Sequence, residues 1–340
     1  MSSIRPTADT GGGAGAPRVS AASVQRSVIV VALVALAALI PLLGPSVALR
    51  GTGEAAAPGA GGIALLRAVL FAAVCVPAGE LFVAHLARRV PGAPREDAPR
   101  SWAPAAAAVG CVAALGLASV VATGNLVPRS VSDMDIGGLY QSRDGALALL
   151  EVNAFVVAGL CALSRRPSTQ VWPLAAVAVA EALRAHPVTE LSPLVGSGLT
   201  LVHVICAALW AGGLLYVLRT LMRWRHTAPV EGAALLGLYA RVAAVLLAAI
   251  TATGVSSTLR RMPPGTVLEQ LTTTAYGRTL VAKMLLVVVV AVLALWARHR
   301  LRRAADPLTA HSPARAEVVV LGLVVAVSAV LTAVPVPIRW

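Results

Sequence analysis

The chain has 340 residues, of which 58% are hydrophobic and 13% are charged, and its formal net charge is +13. Soluble domains carry about 25% charged residues, so this composition excludes an ordinary soluble protein. The positive charge does not indicate nucleic-acid binding, because the arginines are spread over short loops between apolar runs, as in proteins that a membrane orients.

Apolar runs near the membrane-spanning length of about 20 residues recur along the chain and predict an all-α, polytopic transmembrane bundle. About nine helices are predicted, or eight if the short fifth run does not span. The segment 1–27 is rich in Gly, Ala, Ser and Thr and predicts a disordered cytoplasmic tail. The first five helices occupy 28–197 and the last four 198–340. The predicted helices cover 28–48, 62–87, 103–123, 145–163, 171–185, 198–221, 233–257, 275–297 and 316–335.

The predicted loops alternate in arginine content. Arginines precede the first helix and follow the second, fourth, sixth and eighth helices, whereas the other loops have fewer or carry acids such as Asp133 and Asp135. The pair Arg260–Arg261 is the exception. The positive-inside rule therefore predicts a cytoplasmic N-terminus and an outside C-terminus.

Several ionisable residues fall inside the predicted spans, where each costs about 2.5–3.5 kcal/mol at mid-membrane on an insertion scale. The predicted orientation puts four of them in the outer half and two more at or just above that level: Glu151, Glu181, His203, Lys283, Asp144 and His186. One hypothesis is a polar pocket that opens to the outside. The alternative is neutralisation of Glu151 or Glu181 by Lys283, which would only hold helices together.

A second set of charges is predicted near the cytoplasmic face. Glu80, Arg241 and Glu317 lie there, and a structural salt bridge is expected among them. The remaining histidines accompany arginines at the cytoplasmic edges and are expected to be solvated: His85, His226, His299 and His311.

The stretch HVICAALWAGG at 203–213 brings a possible metal ligand into an apolar run. His203, Cys206 and Trp210 are spaced three and seven residues apart, so they can share one helix face. Imidazole suits copper and zinc, and sulfur ligands select Cu(I). His186, Met134 and Met262 are further candidate ligands near the outside. The alternative for His203 is a hydrogen-bonded core histidine without a metal.

Catalytic signatures are absent from the sequence. It contains no GxGxxG, P-loop, HExxH or GxSxG motif. We therefore expect no enzymatic activity and no ATP-driven motor.

Four segments of the second half resemble the copper resistance protein D (CopD) family of bacterial inner-membrane proteins. They are LTLVHVICAALWAGGLLYVL, LYARVAAVLLAAITATGVSSTLRRM, LTTTAYGRTLVAKMLLVVVVAVLALWARHR and RAEVVVLGLVVAVSAVLTAVPVP, within about 198–337. Residues at family motif positions are His203, Trp210, Gly212, Gly213, Tyr239, Arg241, Thr253, Gly254, Tyr276, Gly277, Arg278, Lys283 and Glu317.

The resemblance implies copper as the bound or transported ion. It implies passage of copper across the bacterial cytoplasmic membrane for uptake, homeostasis or resistance, with a separate periplasmic CopC-like protein as partner. Because a cation beside copper would repel it, we expect Lys283 to pair with Glu151 or Glu181 and to gate the site. Three alternatives remain open: a non-transporting scaffold that delivers copper to an oxidase, a haem-binding redox protein, and a structural bundle without a ligand.

Overall fold

The structure is a computed structural model that describes residues 21–55, 57–124, 126–128, 130–186, 192–262, 265–303, 323 and 325–334. Within these residues every regular element is helical. The helices are α1 Ala21–Leu49, α2 Ala60–Ala87, α3 Ala103–Ala122, α4 Ile136–Gln141, α5 Arg143–Leu163, α6 Val171–Arg184, α7 Pro193–Trp224, α8 Pro229–Arg261, α9 Val267–Thr273 and α10 Ala275–Arg303. A further helical stretch covers 325–331.

The predicted all-α class is confirmed, and the first eight predicted helices coincide with helices of the structure apart from their ends. α1 begins at Ala21, before the predicted start at 28, while 1–20 of the predicted tail lie outside the described residues. The ninth predicted helix lies mostly outside them as well. Two short helices, α4 and α9, were not predicted because each is under eight residues and lies in a polar loop.

Six helices are long and apolar enough to cross a membrane: α2, α3, α5, α7, α8 and α10 up to Val292. In the absence of water their backbone groups must bond within each helix, which favours helical spans. α6 is only 14 residues long, and the apolar described part of α1 is Ala35–Leu49. The count of nine spans and the orientation of the termini stay predictions.

The chain divides after Leu36 into two compact units. The described part of the first unit is the beginning of α1. In the second unit, α2 packs against α3 and α7, α7 packs against α8, and α5 packs against α3 and α6. The N-terminal and C-terminal groups of helices therefore share one bundle, and the sequence division at 197/198 stays a prediction.

Two apolar clusters form the core of this bundle. One joins α2, α7 and α8 around Trp210, Trp224 and Tyr239, and the other joins α2, α3, α5, α6 and α7 around Leu70 and Phe155. Large apolar side chains such as those on α3 and α8 face outwards, as expected for helices in contact with lipid.

Glycines allow α2 and α7 to approach closely. A Cβ atom on Gly212 would overlap the carbonyl oxygen of Cys75, and one on Gly79 would overlap the backbone of Gly212. Small residues at helix contacts have this role in membrane bundles. This contact fixes how α7 is rotated against α2 and therefore where the polar residues of α7 point.

Candidate functional site

His203 lies on α7 and faces α8. Its Nδ1 is 3.0 Å from Oγ1 of Thr253, and a Cβ atom on Gly254 would be in ordinary contact with its Cε1 at 3.7 Å. The hydroxyl of Thr253 donates its single hydrogen to the carbonyl oxygen of Ala249 at 2.7 Å. It therefore accepts from the Nδ1–H of His203.

This tautomer determines what His203 can do. With the hydrogen on Nδ1, the lone pair is on Nε2, where it is available to a metal ion. Metal-binding histidines in proteins usually donate their other ring N–H to a fixed acceptor in this way. The geometry therefore suits a ligand, and it equally satisfies a histidine that only joins α7 to α8.

Lys283 on α10 is close enough to His203 to interact with it electrostatically. The expected pairing of Lys283 with Glu151 or Glu181 is wrong, since both carboxylates are bound by Arg184. Among the described residues, Lys283 forms no ion pair. Arg184 is not among the predicted site residues, because it lies at the very end of an apolar helix, where arginines are usually solvated.

The carboxylates of Glu151 on α5 and Glu181 on α6 both contact the same guanidinium nitrogen of Arg184. Nη1 of Arg184 is 3.0 Å from Oε2 of Glu151 and 3.0 Å from Oε1 of Glu181. Glu151 is completely buried and Glu181 is 6% exposed. In place of the hypothesised pair with Lys283, the two carboxylates contact Arg184, and whether this cluster only holds helices together stays open. Asp144, in contrast, is exposed in the first turn of α5 and takes no part in this cluster.

His186 follows α6 and is buried against the start of α7. Its Nε2 is 2.9 Å from Oγ1 of Thr200, and its Nδ1 would be 2.5 Å from a Cβ atom on Gly196. The side chain of Arg143 donates to the carbonyl oxygen of His186 at 3.4 Å. Both ring nitrogens are thus enclosed, which favours a structural role in the turn between α6 and α7.

The sulfur-containing candidates lie in different parts of the described chain. Cys206 packs beside the apolar cluster of Trp210, Met134 is half-buried before α4, and Met262 is completely buried in an apolar cluster with Tyr276. Within the described part of the chain, no group of three or more His, Cys, Asp or Glu side chains could hold a metal ion. A metal role for these residues stays a prediction.

The Trp-Gly-Gly segment of α7 is the contact surface for α2 and α8. The hydroxyl of Tyr239 donates to the carbonyl oxygen of Trp210 at 2.6 Å, and a Cβ atom on Gly213 would lie 2.8 Å from the ring of Tyr239. Gly212 gives the contact with α2 described above. The tyrosine of α8 and the glycines of α7 therefore fit together as one packing unit.

The Tyr-Gly-Arg segment forms the corner between α9 and α10. The Tyr276 hydroxyl accepts from Arg261 at 3.2 Å, and Arg278 donates to the carbonyl oxygen of Arg50 at 2.7 Å. A Cβ atom on Gly277 would overlap the carbonyl oxygen of Gln270. These residues anchor the beginning of α10, the helix that carries Lys283.

A comparison with known protein families finds a match in the C-terminal part of the chain. Residues 233–331 match the family model described as Copper resistance protein D. The resemblance of the C-terminal part of the chain to this family is thereby confirmed. No curated protein and no solved structure matches the chain.

The copper resistance protein D match begins beyond His203 and the Trp-Gly-Gly segment, so their family roles stay predictions. Yet matched residues surround that histidine in space, because Thr253 bonds its ring and Lys283 acts on it electrostatically. Tyr239 likewise links the match to Trp210. Helix α8 therefore packs motif residues onto α7, and α10 places Lys283 within electrostatic reach of it.

At the opposite end of the bundle, the expected salt bridge is formed with a different partner. Arg219 is 3.3 Å from Oε1 of Glu80, which also accepts from the backbone N–H of Trp102 at 2.7 Å, and the Ser101 hydroxyl donates to its Oε2 at 2.6 Å. Arg241 is exposed, and Glu317 lies outside the described residues. Glu80 is thus fully satisfied by a structural network.

Proposed function

We propose that this protein moves copper ions across the bacterial cytoplasmic membrane. Two findings support the coarser statement that it fits a copper-resistance membrane protein: the match to the copper resistance protein D family and the six helices that could cross a membrane. Transport is our inference from these findings. The proposed role is that of a carrier or channel without catalytic activity.

The observation that carries this proposal is the hydrogen bond from His203 to Thr253. It holds the imidazole in one orientation inside a bundle of apolar helices, and with the hydrogen on Nδ1 the lone pair is on Nε2. Intramembrane ionisable residues commonly mark the path of an ion. His203 is accordingly the side chain that copper would meet within the bundle.

The positive charge of Lys283 would weaken the binding of copper at His203. A cation near the ligand opposes copper by Coulomb repulsion, and this repulsion is larger in a medium of low dielectric constant than in water. Weak binding suits conduction, because an ion that is held tightly does not leave. On the outside, a separate CopC-like copper-binding protein would supply or receive the ion.

Copper binding is the first test. We would measure copper bound to the purified protein, with Cu(I) and Cu(II) assayed separately, for wild type, His203→Ala and His186→Gln. The proposal expects loss of bound copper in His203→Ala alone, since His186 is enclosed by Thr200 and Gly196. Equal copper in wild type and His203→Ala would contradict it.

Transport is tested in proteoliposomes. Wild-type protein should take up copper, and His203→Ala should not. Binding without uptake would favour the alternative of a membrane scaffold that hands copper to an oxidase. A haem absorbance band in the purified protein would favour the redox alternative instead.

A further inference from the structure

Two buried carboxylate sites at opposite ends of the bundle differ in their balance of charge. At one end, Glu80 faces the single guanidinium of Arg219, so that one negative charge meets one positive charge. At the other end, Glu151 and Glu181 face the single guanidinium of Arg184. If both were ionised, the second site would keep one uncompensated negative charge in the bundle interior.

The hydrogen bonds differ in the same sense. Glu80 receives hydrogen bonds on both carboxylate oxygens. Nη1 of Arg184 donates to Glu181 and is in ionic contact with Oε2 of Glu151, whereas Oε1 of Glu151 has no hydrogen-bond partner among the described residues. A completely buried, ionised carboxylate with one oxygen left without a donor is costly, whereas a protonated one can itself donate.

Few other groups can compensate this charge. α5 packs against α3, α4, α6 and the segment 167–170. The charged side chains on these neighbours are Glu181 and Arg184, with Cys111 and Tyr140 as uncharged titratable groups, and α5 itself carries the exposed Arg143 and Asp144. Glu181 and Arg184 are also the groups that act electrostatically on Glu151.

Helix α6 packs in turn against α2 and α7. The titratable residues on those helices in the same half are Arg67 and Cys75 on α2 and His203 and Cys206 on α7. Within the described residues, none of them forms an ion pair with Glu181.

We propose that Glu151 and Glu181 bind one exchangeable proton between them beside Arg184, and that copper movement is coupled to its release. Oε2 of Glu151 and Oε1 of Glu181 are each 3.0 Å from Nη1 of Arg184, so the distance between these two oxygens is no more than the sum of those two distances. Two carboxyl groups that share a site in this way release their protons in two separate steps.

The site also lies near one end of the bundle, where the side chain of Arg184 is 10% exposed. Glu151 is two turns, about 12 Å, from the first residue of α5, and Arg184 is the last residue of α6. The proton would leave to water at that end as a carboxyl group becomes a carboxylate, without transfer of electrons. A copper cation in the bundle favours the more negative form, so copper entry and proton release promote each other reciprocally.

The coupling rests on the proposed transport function, whereas the proton itself can be detected without copper. Infrared spectra of the protein in lipid at neutral pH should show the carbonyl stretch of one protonated carboxyl group. Glu151→Gln and Glu181→Gln should each abolish it, because the remaining carboxylate is then balanced by Arg184. Glu80→Gln is the matched control and should retain it. Retention of the band in either Glu151→Gln or Glu181→Gln overturns the shared proton.

The coupling is tested in the proteoliposome assay with an imposed pH gradient. Wild-type copper uptake should change severalfold with the gradient, whereas uptake by Glu151→Gln should not respond to it. Equal responses of the two proteins would overturn the coupling. If wild-type protein takes up no copper under any gradient, the transport proposal fails, and with it the coupling, while the infrared result still decides whether the proton is bound.

Discussion

Nδ1 of His203 on α7 lies 3.0 Å from the hydroxyl oxygen of Thr253 on α8, and this contact joins a residue outside the copper resistance protein D match to one inside it. Neither position is informative alone. A histidine in an apolar helix is often a core residue, and a threonine often bonds only its own helix. Together they orient an imidazole whose lone pair is on Nε2.

Loss of the Thr253 hydroxyl should weaken copper binding without abolishing it. Thr253→Val keeps the shape of the side chain but removes the acceptor for His203, and loss of such a supporting hydrogen bond typically lowers metal affinity about 10–100-fold. Titration of the purified variant with copper measures this. Thr251→Val is the control, because the exposed Thr251 bonds the Leu247 carbonyl on its own helix. An unchanged affinity of Thr253→Val would argue against His203 as a ligand.

His186 should matter for stability and not for copper. Its ring is held by Thr200 and packs against Gly196, so His186→Gln should leave the copper stoichiometry unchanged. The same variant should unfold more easily by about 1 kcal/mol, the usual size of one lost hydrogen bond. Copper analysis and thermal unfolding in detergent test both points. Loss of one copper ion would instead make His186 a ligand.

The close approach of α2 and α7 should not tolerate a methyl group. Gly212→Ala would place Cβ on the carbonyl oxygen of Cys75, and overpacking of this kind costs about 1–3 kcal/mol or more. We expect a lower unfolding temperature and reduced copper binding, because α7 carries His203. Gly237→Ala on α8 is the matched control, since nothing lies within 4 Å of the added atom. Equal stability of the two variants would show that the helices can separate freely.

Two arginines near the end of α7, Arg219 and Arg223, each form an ion pair with an acidic residue. Their replacement by alanine should lower the free energy of unfolding by very different amounts. Arg219→Ala leaves the buried Glu80 without its cation and should destabilise the protein by about 3 kcal/mol. Arg223→Ala breaks a pair with Asp97 in which the arginine side chain is 59% exposed, and less than about 1 kcal/mol is expected. Unfolding by heat or denaturant in a fixed detergent compares them. A larger loss for Arg223→Ala would contradict the assignment of Glu80 as a structural anchor.

Much of the helical framework could be predicted from the apolar runs. The errors concern the helix ends: α7 runs from Pro193 to Trp224, beyond the predicted 198–221. Its last residue donates from the indole to the carbonyl oxygen of Asp97. A helix can continue into polar residues where loops or water hydrogen-bond to its terminal backbone groups. A search for apolar runs does not include these polar ends.

The partners of the intramembrane charges were harder to predict. Arg184 follows Glu181 by three residues, which is ion-pair spacing on a helix and a signal that could have been used. Its second contact, with Glu151, crosses from α6 to α5 and has no counterpart in sequence spacing.

By itself, the sequence determined that the chain is helical, that several helices are long enough to span a membrane, and that Glu151, His203 and Lys283 lie in the first half of their helices and Glu181 in the last half of its own. Distance along a helix follows directly from residue number, since each residue rises by a constant amount. The tertiary structure alone decided which of these side chains meet. That depends on the rotation of each helix about its axis, which is set by close contacts such as Gly79 with Gly212 and Tyr239 with Trp210. Such contacts join residues far apart in the chain, so they follow from the packing of whole helices and not from any local pattern.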